Sequence, residues 1–375
     1  MAQGAYIGIN GKARKITGGY VGVSNKARKI VKAYIGVGGK ARPCWSTDPL
    51  SYYGAITPLS QARRSLAATS NGDYALFGGG YASSGSSNKV DCYNKSLTAT
   101  TASLLTYRYS LAATTVGNYA LFGGGVVGSS AADNVDAFDK SLTRSSPASL
   151  LSAKRYLLDA TTVGNYALFG GGFDLSGPKD IAAVDAYDAS LTRSTPTELS
   201  SARCSYAATT VGNYALFAGG YTQMEANYNA VVDAYNASLT RSTPTALSVS
   251  RERLAATTVG NYALFCGGYD GNAYVTAVDA YNTSLTRSTP IALSSVRSDL
   301  AATTVGNYAL FGGGTSGTNS NVVDAYDTSL TRSTPTALST KRSDLAATTV
   351  GNYALIGGGY DGSYKDVVDA YVYKE

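Results

Sequence analysis

The chain has 375 residues, including 42 glycines and 30 tyrosines but no histidine. Charged residues make up 15% of it, against about 25% in an ordinary globular domain, which argues against a helical bundle. The 44% of apolar residues suffice for a core, so the composition also argues against disorder. Without histidine, Ser-His-Asp hydrolysis and His-ligated zinc, copper or haem are excluded.

Targeting signals and metal motifs are the next features to consider. No run of 18 apolar residues occurs, so we expect no membrane insertion. The first residues, MAQGAYIGINGKARK, lack the apolar segment of a secretory signal, so we expect synthesis in the cytoplasm. The four cysteines, Cys44, Cys92, Cys204 and Cys266, form no metal-binding spacing and are too few for a disulfide scaffold. We therefore expect neither a metal nor a cofactor.

Residues 1–45 are expected to form an arm of three 14-residue units at 5–18, 19–32 and 33–45. Each unit has the pattern of a strand, a two-residue turn and a strand, and Pro43 is expected to end the series. The turn residues are Asn10-Gly11, Ser24-Asn25 and Gly38-Gly39. The side chains that recur in register are the expected docking residues: Tyr6, Tyr20, Tyr34, Lys12, Lys26, Lys40, Arg14, Arg28 and Arg42.

The arm holds nine Lys and Arg and no acidic residue, so residues 46–375 carry a net charge of −3 within a chain of +6. A nucleic-acid arm is one interpretation, and it is the one we favour least. A second interpretation is that the alternating Lys and Arg side chains of the hairpins point into solvent and keep the strand edges soluble. Because isolated hairpins are marginally stable, we favour an arm that docks on a partner. The YIGV-x-x-KAR units resemble segments of structural proteins of phages and prophages of Gram-positive bacteria, which implies a particle as that partner.

Residues 46–375 are expected to form one domain, because they contain seven copies of two phrases. The first phrase is VGNYALFGGG in its commonest form, and the second begins with the sequence VDAY. Copies of the first phrase are spaced 45 to 48 residues apart, measured at Tyr74, Tyr119, Tyr166, Tyr214, Tyr262, Tyr308 and Tyr353. The second phrase has its acidic residue at Asp91, Asp136, Asp185, Asp233, Asp279, Asp324 and Asp369, where we expect a capping or turn role.

Each copy predicts four short antiparallel strands, with sequences like SLAATTV, YALFGGG, VVDAYD and TRSTPTALS. The proline in the fourth segment places it at an edge, because proline lacks an amide donor. Such a unit is typical of a propeller blade, and one blade cannot bury both of its faces alone. The last copy stops after three strands, and residues 52–60 resemble a fourth. The sequence therefore predicts an all-β, seven-bladed propeller in which 52–60 completes the last blade beside 367–373.

The repeat resembles the kelch repeat over about 325 residues. The shared features are a hydrophobic strand ending in Gly-Gly, then Tyr-Asp, then Leu and Arg before the next inner strand. Kelch units carry a tryptophan after the Tyr-Asp, and this chain has Leu-Thr-Arg-Ser there, so the resemblance implies a divergent member. Because propellers support many functions, the resemblance implies a fold and little about activity.

The seven copies differ in two segments, the one joining strands two and three and the one joining a fourth strand to the next first strand. Antiparallel order predicts that both lie on one face, here called the variable face, with the constant Val-Gly-Asn and Ser-Leu-Thr-Arg-Ser turns opposite. An arginine recurs in the second segment, either to tie neighbouring blades together or to bind ligand: Arg63, Arg108, Arg155, Arg203, Arg251, Arg297 and Arg342.

Candidate ligand-binding residues on this face include aromatic rings, which suit sugars by stacking at low entropy cost. The connection into each blade provides Arg64, Tyr107, Tyr109, Tyr156, Tyr206, Glu252, Arg253, Asp299 and Asp344. The segments between strands two and three provide Tyr81, Phe173, Tyr221, Tyr228, Tyr269, Tyr274, Tyr360 and Tyr364. Asp159 replaces an alanine that the other six copies keep, and we expect Arg155 or a bound cation as its partner.

These features predict a non-enzymatic structural or receptor-binding protein on the surface of a phage or phage-like particle, such as an adhesin or tail-fibre component. Residues 1–45 would contact other particle proteins within a larger assembly, and the variable face would bind a cell-surface glycan or protein. One alternative is an intracellular protein-interaction scaffold. Another is a glycan hydrolase that uses Asp159, Glu252 or Asp299, although no catalytic constellation is evident.

Overall fold

The computed structural model of the chain describes residues 49–374, together with the backbone of six strands between residues 6 and 46. The chain divides into two units, residues 1–51 with 373–375 and residues 52–372. Every regular element in the described part is a β-strand, which confirms the all-β prediction. No helix among these residues is long and apolar enough to cross a membrane.

The first unit contains three antiparallel hairpins, as the 14-residue units predict. The paired strands are Tyr6–Ile9 with Lys12–Lys15, Gly19–Val23 with Lys26–Ile30, and Lys32–Val37 with Lys40–Ser46. The last strand runs on through Pro43 to Ser46. The register shifts beside Pro43, where Tyr34 faces Pro43 and Ala33 faces Trp45, so that a bulge accommodates a residue without an amide donor. The side chains of the nine expected docking residues lie outside the described part of the structure.

The second unit is built on seven four-stranded antiparallel sheets, which we number as blades 1 to 7 in chain order. The innermost strands are Ala67–Ser70, Ala112–Val116, Asp159–Val163, Ala207–Val211, Ala255–Val259, Ala301–Val305 and Ala346–Val350. The second strands are Tyr74–Gly78, Tyr119–Gly123, Tyr166–Gly170, Tyr214–Ala218, Tyr262–Cys266, Tyr308–Gly312 and Tyr353–Gly357. The third strands are Lys89–Asn94, Val135–Phe138, Val184–Tyr187, Val232–Asn236, Val278–Asn282, Val323–Asp327 and Val368–Tyr373.

The outermost strands show how the ring closes and why most of them are short. They are Leu50–Ala55 in blade 7, then Ala99–Ser103, Arg144–Ser145, Arg193–Ser194, Arg241–Ser242, Arg287–Ser288 and Arg332–Ser333 in blades 1 to 6. Leu50–Ala55 completes blade 7 beside Val368–Tyr373, which confirms the predicted closure. In blades 2 to 6 only two residues of the fourth segment pair, although nine were expected to form the strand. The proline that follows these two residues cannot donate a ladder hydrogen bond. Blade 1 lacks that proline, and its strand has five residues.

Four two-stranded ribbons follow the second strands on the variable face. They are Tyr81–Ala82 with Gly85–Ser86, Val126–Val127 with Ser130–Ala131, Phe173–Asp174 with Lys179–Asp180, and Tyr221–Thr222 with Asn227–Tyr228.

The core lies between neighbouring blades. One cluster joins Leu76 and Val90 of blade 1 to Phe122 and Phe138 of blade 2, and all four are almost completely buried. A Cβ atom on Gly78 would lie 2.6 Å from the Phe122 ring, so glycine at the end of the second strand lets the next blade pack closely. Five of the seven blades keep glycine at this position, and Ala218 and Cys266 replace it in blades 4 and 5.

The two constant turns interlock around the opposite face. A Cβ atom on Gly117, in the first turn of blade 2, would lie 3.2 Å from Ala189 Cβ in the last turn of blade 3. In that last turn the Asp188 carboxylate accepts hydrogen bonds from the amides of Ser190 and Thr192, which fixes an Asx turn. The constancy of these turns therefore has a structural cause in contacts between blades.

Candidate ligand-binding face

The two variable segments meet in every blade, as antiparallel order predicts. The residue after each recurring arginine pairs with the residue after each Gly-Gly, and the pairs are Arg64 with Tyr81, Tyr109 with Val126, Tyr156 with Phe173, Cys204 with Tyr221, Glu252 with Tyr269, Ser298 with Thr315, and Ser343 with Tyr360. The variable segments therefore form one continuous surface.

The seven recurring arginines are not part of that surface, because each is completely buried. Arg203 shows the shared geometry, since its backbone oxygen accepts from Gly172 N in blade 3 at 2.9 Å. Its guanidinium enters blade 4, where Nη2 donates to Phe217 O at 3.2 Å and to the Asp233 carboxylate at 2.8 Å. The arginines thus tie each blade to the next, and Arg63 joins blade 7 to blade 1 in the same way.

The acidic residue of VDAY is the partner of this arginine, in addition to accepting a backbone amide of the connection that enters the blade. Asp233 is buried, and its other oxygen accepts from Ser200 N at 3.1 Å and lies 3.7 Å from Arg241 Nη1. The sequence contained a signal for this pair that we did not use: an arginine and an aspartate, opposite in charge, both persist in all seven copies.

A closed ring of hydrogen bonds surrounds the centre of the variable face. Seven residues in the left-handed region, with φ between 52° and 55°, form what we call the axial ring: Ser65, Ser110, Leu157, Ser205, Arg253, Asp299 and Asp344. Each donates its amide to the carbonyl of the residue from the preceding blade, at 2.8 to 3.2 Å, and Ser65 donates to Asp344 to close the circle. None is glycine, so each position carries backbone strain, which proteins concentrate at functional sites.

Five of the predicted residues form a charged cluster at this ring. Arg253 Nε lies 3.3 Å from Glu252 Oε1, and Arg253 Nη1 lies 3.6 Å from the Asp299 carboxylate. Arg64 Nη1 lies 3.6 Å from the Asp344 carboxylate. Burial raises the pKa of Glu252 and Asp299 above the usual range, and burial together with the Asp299 charge raises the pKa of Asp344.

Eight of the predicted aromatic residues form two groups of four, and each group lies beside one of these arginines. In the first group, Tyr81 contacts Tyr109 and Tyr364 at ring-centre distances of 5.0 and 6.2 Å, and the Arg64 guanidinium lies 4.8 Å from the centre of Tyr360.

In the second group, Tyr228 contacts Tyr221 and Tyr269 at 4.9 and 5.9 Å, Tyr269 contacts Tyr274 at 5.3 Å, and Arg253 lies 5.7 Å from the centre of Tyr269. The rings in both groups are partly exposed, so they can contact a ligand.

The remaining predicted residues do not join these groups. Tyr107 is 60% exposed, and Tyr156 packs edge-on against Phe173, which is buried. Tyr206 lies in the core with 6% of its surface exposed, because it occupies the position that leucine fills in the other blades. Burial also raises the pKa of the Cys204 thiol to about 11, which disfavours the thiolate.

Arg155 is not the partner of Asp159 among the described residues, because its guanidinium pairs with Asp185. The Asp159 carboxylate accepts from the amides of Ala160 at 2.8 Å and Ala208 at 2.7 Å, and its own amide contacts the Tyr206 hydroxyl at 3.3 Å. Burial raises its pKa to about 7. The two residues that depart from the repeat, Asp159 and Tyr206, thus meet at the seam between blades 3 and 4.

The same seam carries an open groove of about 390 Å³ on the variable face, which we did not predict from the sequence. Its walls include Lys179, Thr222, Met224 and Asn227, and Met224 is 63% exposed. Asp180 crosses the seam to accept from Met224 N at 3.0 Å. The length of the variable segments could have predicted this groove, because the two longest segments contribute most of its walls.

Comparisons with known proteins identify the fold alone. No protein-family model matches the chain, and no curated protein matches its sequence. Among solved structures, 609 chains match, so the fold is too common to indicate an activity. One of them, the structure of YjhT, is 14% identical with a TM-score of 0.56, over 70% of this chain and 94% of that chain. The chain is thus a seven-bladed β-propeller preceded by β-hairpins.

Proposed function

We propose that this chain is a non-enzymatic binding protein of a phage or phage-like particle, a divergent kelch-like propeller whose variable face binds a surface glycan or protein. The observation that carries this proposal is the concentration of partly exposed tyrosines, two arginines and three carboxylates on the variable face. The constant sequence of the turns on the opposite face does not support this proposal, because contacts between blades already account for it. Flat rings beside charged groups are typical of recognition surfaces.

The arm supports the particle role through its charge and its resemblance to phage structural segments. It carries all of the excess positive charge of the chain, and its three hairpins are too small to be stable alone. We propose that residues 1–45 dock on another particle protein and that residues 46–375 display the variable face.

Binding of the full chain to purified bacterial cell walls and to a glycan array tests the recognition role. The variant Tyr269→Ala with Tyr360→Ala removes one ring from each aromatic group, and we expect it to lose saturable binding. The matched control, Lys140→Ala with Asn165→Ala, changes two exposed residues in the constant turns and should bind like the unaltered chain. Absence of binding by the unaltered chain, or equal binding by both variants, contradicts the proposal.

A further inference from the structure

Blade 6 interrupts the aromatic surface of the variable face. The position after Gly-Gly is aromatic in five blades, but it is Val126 in blade 2 and Thr315 in blade 6. In blades 5, 6 and 7 this residue pairs with a second one, so that the pairs are Tyr269 with Tyr274, Thr315 with Asn319, and Tyr360 with Tyr364. Blade 6 therefore presents two small polar, partly exposed side chains between two pairs of tyrosines.

Arginines hold the rings on both sides of this position. Arg253 lies over Tyr269 at 5.7 Å, and Arg64 lies over Tyr360 at 4.8 Å and over Tyr364 at 6.0 Å. Because a guanidinium lies beside Tyr269, Tyr360 and Tyr364, cation–π attraction favours these ring orientations before any ligand arrives.

Carboxylates occupy the inner end of the same sector. Asp299 and Asp344 are neighbours in the axial ring, where Asp344 N donates to Asp299 O at 3.2 Å. The Asp299 carboxylate accepts from Ser298 Oγ at 2.5 Å. Within the described part of the chain, the Asp344 carboxylate accepts no hydrogen bond, since Arg64 stands 3.6 Å away and the side chain is 32% exposed. Asp344 thus has acceptor capacity that a ligand can use.

We infer that the sector over blade 6, formed by Thr315, Asn319, Tyr269, Tyr360, Asp299 and Asp344, is a saccharide-binding subsite for a neutral or amino sugar. The inference rests on the proposed function and specifies its ligand. A pyranose ring stacks on a tyrosine face, its hydroxyl or ammonium groups donate to Asp344, and Thr315 and Asn319 leave the room that a tyrosine would fill. Acidic sugars are disfavoured because the two arginines of the cluster face three carboxylates.

Saturation-transfer NMR on the full chain tests this with methyl glucoside, methyl galactoside, N-acetylglucosamine, glucosamine and glucuronate as probes. Thr315→Tyr should abolish the signal, because it fills the sector with the residue that four other blades carry at this position. Val127→Tyr is the matched control, since it adds the same ring at a 37% exposed position on blade 2, and it should leave binding unchanged. Asp344→Asn should weaken affinity about tenfold, as expected for loss of a hydrogen bond to a charged acceptor.

The outcomes separate this inference from the proposed function. Binding of a neutral or amino sugar that Thr315→Tyr removes and Val127→Tyr retains supports the subsite, even if the chain ignores cell walls. Cell-wall binding without any signal from the five probes overturns the sugar assignment and leaves the proposed function standing. Sugar binding that survives Thr315→Tyr, or that favours glucuronate, overturns the location or the ligand class.

Discussion

At the residue scale, the buried Arg–Asp pair is one of the contacts that join each blade to the next. Burying two charges is unfavourable unless both are paired and hydrogen-bonded. This pair meets that condition at Arg203 Nη2 and at the Asp233 carboxylate, while Arg203 Nε has no hydrogen-bond partner among the described residues. The Asp233 carboxylate has a second arginine, Arg241, but that side chain is 26% exposed and 3.7 Å away. The two arginines therefore make a matched comparison within one blade.

We expect Arg203→Met to lower the free energy of unfolding by about 3–5 kcal/mol, because it leaves the Asp233 charge buried without its main partner. Arg241→Met should cost less, about 1 kcal/mol, because its guanidinium is partly exposed and lies 3.7 Å from the carboxylate, which keeps its closer partner Arg203. Urea denaturation followed by circular dichroism measures both. Equal losses for the two variants would show that the buried pair is not the dominant contact.

Asp159 makes a second residue-scale prediction, this one about pH. An unfolded aspartate loses its proton near pH 4, whereas the folded carboxyl, with its pKa of about 7, keeps its proton up to neutral pH. The folded state binds more protons in that window, so this residue lowers stability as pH rises from about 4 to about 7. The penalty is complete above that window and absent below it.

Asp159→Ala, which restores the residue of the other six blades, should therefore stabilise the chain at pH 8 by about 4 kcal/mol relative to its effect at pH 4. Comparing urea midpoints of both chains at the two pH values checks this. A difference that is the same at both pH values would mean that the carboxyl titrates as in the unfolded chain.

At the element scale, the two glycines that follow each second strand determine how closely the connection into the next blade can approach that strand. A Cβ atom on Gly124, which has φ of 70°, would lie 2.7 Å from the carbonyl oxygen of Arg155. Gly128 in the same blade has φ of 60° and no neighbour within 4 Å of such an atom. The two glycines share a left-handed backbone and differ in the space around them.

Gly128→Ala should cost about 1–2 kcal/mol from the left-handed backbone alone. Gly124→Ala should cost clearly more, because the Arg155 carbonyl must also move, and that carbonyl accepts from Gly125 N at 2.9 Å. Thermal melts of the two variants measure the difference. Indistinguishable melting temperatures would show that the connection can shift freely.

Much of this element-level architecture could be predicted from the sequence, because the strands, turns and closure repeat with a fixed period. Contacts between distant residues were harder. Arg155 and Asp185 were both identified as repeated, but their pairing requires knowing that a connection from one blade crosses onto the third strand of the next. The burial of Tyr206 likewise follows from the packing of blade 4 and not from the local pattern.

At the scale of the whole molecule, the strand Leu50–Ala55 closes the ring by completing blade 7. Tyr52 donates its hydroxyl to the Asp369 carboxylate at 2.6 Å, and its ring lies 5.3 Å from that of Tyr371. In blades 2 to 6 an arginine of the fourth strand, such as Arg193, contacts the corresponding aspartate instead.

Deleting residues 1–48 should leave a monomer with nearly unchanged melting temperature, whereas deleting 1–55 should lower that temperature and cause self-association. The longer deletion exposes the unpaired edge of Val368–Tyr373, and free strand edges pair with other chains. Light scattering with thermal melts checks both expectations. Equal melting temperatures for the two truncations would mean that closure does not depend on this strand.

The axial ring has an electrostatic consequence for anything that approaches the centre of the variable face. Its seven N–H bonds all point in the same rotational sense, each towards the carbonyl of the preceding blade. Dipoles arranged head to tail around a circle cancel one another. The amides of the ring therefore create no net positive or negative end, whereas the aligned dipoles of a helix do. Every amide of the ring is also already engaged. The sign of the potential at the axis is therefore set by side chains alone, so substitutions at Arg253, Asp299 and Asp344 can reverse it while the backbone circle stays intact.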